Sequence, residues 1–334
     1  MSPPRSLSES LPLPLSASER ALARNRSYTL FGRLCLSGLS LDLLPYAQAI
    51  PELARALPDS FGEDEAAADY QHLFGFNVFP HESLFLDPTG LLGGPVGEAV
   101  LRTFTHAGYD PGTSSDNADH IGHELNYLAF LCGAEAEAWQ DDRPDVASRI
   151  AMLQQEFLDQ HLLRWLPALV LAIRLQNLPF FSALADLVLD LAISHLSDME
   201  HDPADVFILP DPPDLLADEQ AGLRDIVAYL LTPAYSGVYI ARDDIGRLAR
   251  KQTLPRGFGG RRQMLQNLLR SAANYDMVEM VLQDMVQIIK GWKTAYGEMA
   301  ADPILHPYIK SWQARAASTL ELVRAMHTRL QSPD

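Results

Sequence analysis

Apolar residues along most of the chain recur every three or four positions, the spacing that places them on one face of an α-helix. The alternation of apolar and polar residues that is typical of a β-strand is nearly absent. The clearest stretches are 146–163, with Ile150, Leu153, Phe157 and His161; 180–196, with Leu184, Leu187, Val188, Leu191 and His195; 262–290, with Leu265, Leu268, Ala272, Tyr275, Val278, Leu282, Met285 and Ile289; and the end of the chain, with Trp312, Ala316, Leu320, Val323 and Met326. This pattern predicts an all-α fold of antiparallel helices joined by short loops.

Two stretches interrupt the periodicity. Residues 76–97 hold Pro80, Pro88 and Pro95 among several glycines, which predicts an ordered loop rather than a helix. Residues 198–219 carry eight acids, four prolines and no lysine or arginine, which is typical of a linker between two helical parts.

The N-terminus predicts a disordered tail rather than a secretory signal, because Pro12 and Pro14 interrupt its leucines. The predicted organisation is a tail over 1–16, a helical domain over 17–197, the acidic linker over 198–219, and a helical C-terminal region over 220–334 that packs on the domain.

Composition narrows the classes of partner. The net charge of −17 and the pI near 4.9 argue against nucleic acid and anionic membranes, and suit a cationic partner. The two cysteines, Cys35 and Cys132, lie in apolar runs, which predicts buried free thiols in a reducing cytosol and excludes a zinc site built from three or four thiolates. No window of about 18 residues is apolar and free of charge, so we expect a cytoplasmic protein without a membrane span.

The stretch DNADHIGHEL, which begins at Asp116, concentrates residues that carry chemistry. We predict that Asp116 or Asn117 caps a helix on which His120, His123 and Glu124 share one face. Their order, His-x-x-His-Glu, differs from the His-Glu-x-x-His of zinc proteases. An all-α metal-dependent hydrolase using these two histidines and this glutamate nevertheless stays open as an alternative. The His120 imidazole is expected to titrate near neutral pH.

Neighbouring motifs suggest a different interpretation. Four follow one another: Tyr-x-x-Leu-Phe at Tyr70, Leu73 and Phe74; Ser-x-x-Leu at Ser83 and Leu86; Asp-His-x-x-x-Glu-Leu at Asp119, His120, Glu124 and Leu125; and Phe-x-x-x-His-Leu-x-x-Trp at Phe157, His161, Leu162 and Trp165. Together they resemble the TorD/DmsD family of cytoplasmic chaperones for molybdenum enzymes, over residues 18–200. The segments Arg20–Leu36 and Leu41–Leu57 correspond to the first two helices of that family. Phe85 stands where the family usually has tyrosine, and Asp116-Asn117 replaces its Glu-Pro.

The resemblance implies a non-enzymatic protein with no cofactor of its own. Its expected partner is the apo catalytic subunit of a molybdopterin-dependent oxidoreductase, together with the twin-arginine signal peptide where that client is exported. Guanine nucleotide binding is sometimes linked with this family and stays open. A homodimer formed by helix exchange, with residues 198–219 as the hinge, also stays open. The client-binding residues that the resemblance implies are Tyr70, Phe74, Ser83, Phe85, Asp119, His120 and Glu124. By contrast, Phe157, Leu162 and Trp165 are expected in the core, with His161 bracing it.

Overall fold

A computed structural model describes residues 15–112, 115–199, 207–255 and 257–331, with the side chains of residues 115 and 116 left out. The all-α prediction is confirmed, since no β-strand occurs among these residues. The helices of the first part are α1 (Ala17–Ser37), α2 (Leu44–Gln48), α3 (Pro51–Ala56), α4 (Glu63–Tyr70), α5 (Glu82–Leu86), α6 (Gly94–His106), α7 (Ser115–Ala118), α8 (Ile121–Gln140), α9 (Pro144–Phe157), α10 (Leu163–Arg174) and α11 (Pro179–Ser197). The later helices are α12 (Leu223–Leu231), α13 (Pro233–Ser236), α14 (Arg242–Lys251), α15 (Arg261–Asn274), α16 (Val278–Met299) and α17 (His306–Gln331).

Helix α1 has clear start and stop signals. Ser16 and Glu19 form a capping box, in which the serine side chain accepts the Glu19 N–H and the glutamate accepts the Ser16 N–H. Gly38, with φ of 76°, ends the helix and donates its N–H to the Leu34 carbonyl. The tail that the sequence predicts before this helix lies outside the described residues, apart from Leu15 and Ser16.

Helices α1 and α8 make the most extensive helix–helix contact among the described residues, and two glycines permit their close approach. A Cβ atom on Gly122 would lie 2.4 Å from Cγ of Leu36 and 2.9 Å from the Gly32 carbonyl oxygen. A Cβ atom on Gly32 would lie 2.5 Å from Oδ1 of Asn126. Because real Cβ atoms do not approach so closely, the crossing requires glycine at Gly122, and a side chain at Gly32 would displace the amide of Asn126.

Several predicted boundaries were wrong, and each break has a local cause. The predicted helix over 41–57 is two short helices, α2 and α3, because Pro51 begins a new helix after Ile50 adopts an extended conformation. The stripe over 262–290 is divided between α15 and α16, at a turn where Asp276 has a φ of 56°.

The predicted loop over 76–97 contains α5 and the start of α6. Two π-helical turns, Gln71–Asn77 and Leu158–Leu162, continue α4 and α9. They bring Leu73 and Phe74, and Leu158 and Leu162, into the core, and nothing in the apolar spacing predicts them.

The C-terminal helices share one continuous apolar core with the first part of the chain. The Trp312 indole N–H donates to the Arg164 carbonyl at 2.7 Å, which fastens α17 to α10. The Phe79 N–H donates to the Tyr239 hydroxyl at 3.1 Å.

In the acidic segment, Phe207 and Leu209 are buried, and Leu209 donates its N–H to the Ser311 hydroxyl at 2.9 Å. Residues 207–219 therefore lie against the protein, while the rest of the predicted linker falls mostly outside the described residues. The division of the chain into domains stays a prediction.

Helix α11 is long and apolar enough, by length and composition alone, to cross a membrane, and within the described part of the chain it alone passes that test. Its mean hydropathy is 1.4, and 44% of the window is buried inside the protein. It also carries Asp186, whose carboxylate lies 2.7 Å from Nε of Arg174, and it packs against α10 and α1. One such helix is weak support for a membrane span, because a core helix has the same composition. The absence of a span stays a prediction.

Candidate functional site

The DNADHIGHEL stretch folds as one short helix, a break and a long helix. Helix α7 ends at Ala118, Asp119 and His120 lie in the break, and α8 begins at Ile121. The predicted cap, Asp116 or Asn117, was wrong for α8: His120 is the N-cap, and its Nδ1 accepts the Gly122 N–H at 3.0 Å. Asp119 and His120 therefore lie between two helices, and not on the face of one continuous helix as the sequence pattern predicted.

Backbone hydrogen bonds join this break to the segment that precedes α5. Glu82 donates its N–H to the Asp119 carbonyl, and Ile121 donates its N–H to the Pro80 carbonyl, both at 2.9 Å. The two short segments pair in antiparallel fashion at His81 and His120. The Ser-x-x-Leu and Asp-His motifs are thereby held side by side.

The carboxylate of Asp119 stabilises the start of α5. It is fully buried, and its Oδ2 accepts the Ser83 N–H at 2.8 Å. Its Oδ1 lies 3.4 Å from Nδ1 of His81. A negative charge at a helix N-terminus interacts favourably with the free N–H groups there. The Ser83 hydroxyl in turn accepts the Gly93 N–H at 2.9 Å, which fixes the loop before α6.

Glu124 joins the Asp-His motif to the Phe-x-x-x-His-Leu-x-x-Trp motif. Its side chain is fully buried, and its Oε2 accepts the Trp165 indole N–H at 3.2 Å. Burial, followed by the charges of Glu82 and Asp119, raises the pKa of the Glu124 carboxyl well above its ordinary value. A hydrogen bond between the side chains of Glu124 and Glu82 also raises this pKa, because it favours a protonated carboxyl beside a second acid.

A second acid, Glu82, lies beside Glu124 and contacts His161. The Glu82 Oε2 atom is 3.1 Å from Nδ1 of His161, and Nε2 of His161 is 3.2 Å from the Thr103 hydroxyl. His161 therefore braces α5 and α6 against the turn after α9. Neither Glu82 nor Thr103 belongs to the four motifs. The position of Glu82, directly before the motif residue Ser83, is the feature of the sequence that could have indicated its part in the site.

The pKa of His120 is lowered to about 3 by burial and by the neighbouring His81 and His123. The ring of His120 lies 4.9 Å from that of His81 and 6.0 Å from that of His123, both edge to face. The expectation that His120 titrates near neutral pH was wrong, because the imidazole is shielded from water and its Nδ1 is an acceptor for the helix cap. At neutral pH this ring is uncharged.

The same geometry gives no support to the metal-dependent hydrolase. Glu124 points to Trp165, and Nδ1 of His120 is engaged by the Gly122 N–H. In the part of the chain that the structure describes, no group of three His, Cys, Asp or Glu side chains is placed to hold a metal ion.

The aromatic residues of the motifs lie in the core or against it. Phe85 is fully buried between Trp165 and Tyr239, with ring centroids 5.4 and 5.1 Å away. Phe157, Leu162 and Trp165 are also fully buried, as expected for core residues. Five of the seven residues that the resemblance implies for client binding are buried as well: Phe74, Ser83, Phe85, Asp119 and Glu124.

Tyr70 is half-buried, and its hydroxyl donates to the carbonyls of Cys35 at 3.2 Å and Leu36 at 2.7 Å. Tyr70 and the largely buried His120 are the other two of the seven residues that the resemblance implies for client binding. In this conformation the seven residues form the frame of the site, while nearby apolar side chains are exposed. Phe76, Leu91 and Leu92 have exposed fractions of 46%, 65% and 45%.

A second buried polar chain connects α1, α8, α9 and α11, and the apolar spacing of the sequence does not predict it. The Gln154 amide donates to Glu135 at 2.9 Å, so its Oε1 accepts from Nε2 of His195 at 2.8 Å. The Nδ1 of His195 then accepts the Tyr28 hydroxyl at 3.0 Å. Burial lowers the pKa of His195 well below its ordinary value, consistent with this neutral tautomer. His195, a polar residue in the apolar stripe of α11, is the feature of the sequence that could have indicated this buried chain.

The fold and the site define an all-α protein in which three of the four separated motifs, the second, third and fourth, meet in one buried polar network. A family profile described as nitrate reductase delta subunit matches residues 42–170, the range that contains all four motifs. The chaperone protein TorD of Vibrio cholerae serotype O1 is 29% identical over 160 residues, covering 45% of this chain and 70% of that relative. No solved structure matches the chain. The two comparisons thus confirm the resemblance to the TorD/DmsD family.

Proposed function

We propose that this protein is a cytoplasmic chaperone for the apo catalytic subunit of a molybdopterin-dependent oxidoreductase. It would hold that subunit until the cofactor is inserted, and would also cover the signal peptide of an exported client. The observation that carries the proposal is the meeting of three of the four TorD/DmsD motifs, the second, third and fourth, in one buried network within the matched range. The likeness to a TorD chaperone supports the same role.

The network suggests how the motif residues serve such a role. Asp119 fastens the start of α5, Glu124 holds Trp165, and Glu82 holds His161. These bonds fix the loop from Pro80 to Gly93, where Leu91 and Leu92 are exposed. A rigid frame beneath an apolar loop is suited to hold an unfolded or partly folded segment, because little ordering is needed on the chaperone side.

Co-purification tests the proposal. The full chain, carrying an affinity tag, is expressed in cells that produce a molybdopterin enzyme, with and without an inhibitor of cofactor synthesis. We expect a large oxidoreductase subunit without bound pterin to be recovered, and to a greater extent when cofactor synthesis is blocked. Recovery of no such subunit, or recovery only of the cofactor-loaded enzyme, would contradict a role before cofactor insertion.

A further inference from the structure

A groove lies between α16 on one side and α14, with the end of α10, on the other. Its volume is about 650 Å³. Leu171, Leu248 and Trp292 are buried in its lining, and Leu175 is exposed at its rim. Helices α14 and α16 follow residues 42–170, the range that the family profile matches, so most of this α14–α16 groove belongs to the C-terminal part of the chain.

The lining residues of α16 form a continuous face of that helix. They recur every three or four positions from Asp284 to Glu298, which is about four turns or about 21 Å of helix. Met280, one turn before Asp284, is exposed and extends the same face. No described helix of the chain covers this face. A helical face of this length is a surface that a second helix packs against.

The two walls of the groove carry different charges. Its three cations, Arg174, Arg247 and Lys251, belong to α10 and α14, whereas α16 contributes the acids Asp284 and Glu298. Each cation contacts one acid of its own chain, yet the three side chains remain 41 to 65% exposed. A second copy of α16 laid along the groove would therefore bring acids to a basic wall.

The charges at the two ends of the α16 face are complementary to each other. At one end, the Asp284 carboxylate lies 2.6 Å from Nζ of Lys251 and accepts the Gln252 amide at 2.6 Å, so this acid has two donors. At the other end, Glu298 is exposed and has no ion pair or hydrogen bond among the described residues. An antiparallel arrangement of two copies exchanges the ends, so each Lys251 would lie beside the free Glu298 of the other copy.

Between these ends, a buried donor lacks an acceptor. The Trp292 indole N–H has no hydrogen-bond partner among the described residues. Such donors are rare in folded proteins and indicate an acceptor supplied from outside. Gln287 is exposed on the same face of α16. In an antiparallel pair, its side-chain carbonyl comes within about one turn of Trp292 of the other copy and can accept this N–H.

We propose that two copies of this chain associate through the α14–α16 groove, with each α16 packed antiparallel over the groove of the other copy. The two-fold axis passes near the middle of the 284–298 face. Lys251 then pairs with Glu298 of the second copy twice, and the exposed Leu175 is covered. The inference is independent of the proposed chaperone function. It also differs from helix exchange about residues 198–219, because each copy keeps its own helices.

Sedimentation velocity of the full chain, from about 1 to 100 μM, measures the association. We expect a reversible monomer–dimer equilibrium. Glu298→Lys and Lys251→Glu, each by itself, place like charges together at both ends of the interface and should raise the dimer dissociation constant by about tenfold or more. The matched control is Lys293→Glu, which reverses an exposed charge of α16 outside the groove lining and should change the constant by less than about twofold.

A mixture of the two charge variants provides the decisive measurement. In a heterodimer of Glu298→Lys with Lys251→Glu, both end contacts again join opposite charges. The mixture should therefore dimerise with a constant within about threefold of the wild-type value, although neither variant does so by itself. Thermal unfolding of each variant checks its fold, because Lys251→Glu places a second acid beside Asp284.

The apolar part of the interface has its own pair of variants, which stand if Lys251→Glu does not fold. Leu175→Ser should weaken dimerisation, because the second copy covers this side chain. Leu330→Ser is the control, since it makes the same change at a similarly exposed leucine near the end of α17, outside the groove. It should leave the dissociation constant unchanged.

Three results would overturn the proposal. The first is a monomer at every concentration. The second is a dimer that persists in both Glu298→Lys and Leu175→Ser, which is the result expected for helix exchange about residues 198–219. The third is a mixture of the two charge variants that dimerises no better than either variant by itself, since the two charges would then not meet across the interface.

Discussion

At the scale of single residues, the acids of the Asp-His motif are structural partners in the interior. Asp119 accepts a backbone N–H at the start of α5, and Glu124 accepts an indole N–H. Each of these hydrogen bonds contributes to the stability of the fold, because a buried donor that loses its acceptor has no water to replace it. The raised pKa of Glu124 keeps its carboxyl protonated over a wider range of pH than an exposed glutamate.

Replacing Asp119 with alanine should destabilise the fold. The Ser83 N–H would lose its acceptor in the interior, and the expected loss is about 2 kcal/mol of the free energy of unfolding. Urea denaturation followed by circular dichroism measures this loss. Asp64→Asn, an exposed acid, is the control and should change stability by less than about 0.5 kcal/mol. An Asp119→Ala protein of unchanged stability that loses client binding would instead support direct contact.

The Glu124 carboxyl should make stability fall as pH rises. Its pKa is raised in the folded protein, so the folded state holds a proton that the unfolded state has released once pH exceeds the ordinary carboxyl range. The resulting stability is present at low pH and is lost as pH rises towards the folded pKa. Glu124→Gln, which keeps the shape without the ionisation, should flatten this decline. Unfolding free energies of both proteins between about pH 5 and pH 8 test it, and parallel curves would contradict a raised pKa.

At the scale of elements, interruptions of regular helices build the site. The break between α7 and α8 turns Asp119 towards α5, and the π-helical turns after α4 and α9 bring Phe74 and His161 inward. These interruptions depend on partners that are distant in sequence, such as the Pro80 carbonyl that accepts the Ile121 N–H. The close crossing of α1 and α8 keeps the partners in register.

Gly122→Ala tests that crossing. The new methyl group would meet Leu36 and the Gly32 carbonyl, and the overpacking should cost about 1 to 3 kcal/mol, measured as a lower thermal midpoint. The matched control is Gly291→Ala, also inside a helix but with no atom within 4 Å of the added Cβ. It should stabilise the protein by about 0.5 to 1 kcal/mol, because alanine loses less backbone entropy in a helix. Equal effects of the two substitutions would exclude the close approach as the cause.

At the scale of the whole molecule, the C-terminal helices complete the core beneath the motifs. Tyr239 stacks on Phe85, and Trp312 bonds to the carbonyl of Arg164 directly before Trp165. Residues beyond the acidic segment therefore cover part of the apolar surface of the motif region.

A shortened protein ending at residue 199 should not fold stably by itself. It would expose Phe85 and leave the Arg164 carbonyl without its indole donor. We expect aggregation or a broad thermal transition, against a single sharp transition for the full chain. Calorimetry and sedimentation of both proteins provide the measurement. A soluble, cooperatively folding fragment would instead favour residues 17–197 as an independent domain.

Much of this protein was determined by local sequence. The apolar periodicity specified the helical class, and Ser16 with Glu19 specified the start of α1, because helix formation and capping depend on residues a few positions apart. The four motifs were also sufficient to indicate the family, and Phe157, Leu162 and Trp165 lie in the core as expected.

Only the tertiary structure decided what the polar members of those motifs do. Spacing placed His120, His123 and Glu124 on one helical face, but the antiparallel pairing with Pro80–Glu82 made His120 a cap and turned Glu124 inward. The charge of a buried group depends on neighbours and solvent that the sequence does not display, so the pKa of His120 could not be read from its residue type. The cleft that Leu39, Glu65 and Phe181 line likewise exists only because segments that are distant in sequence come together around it.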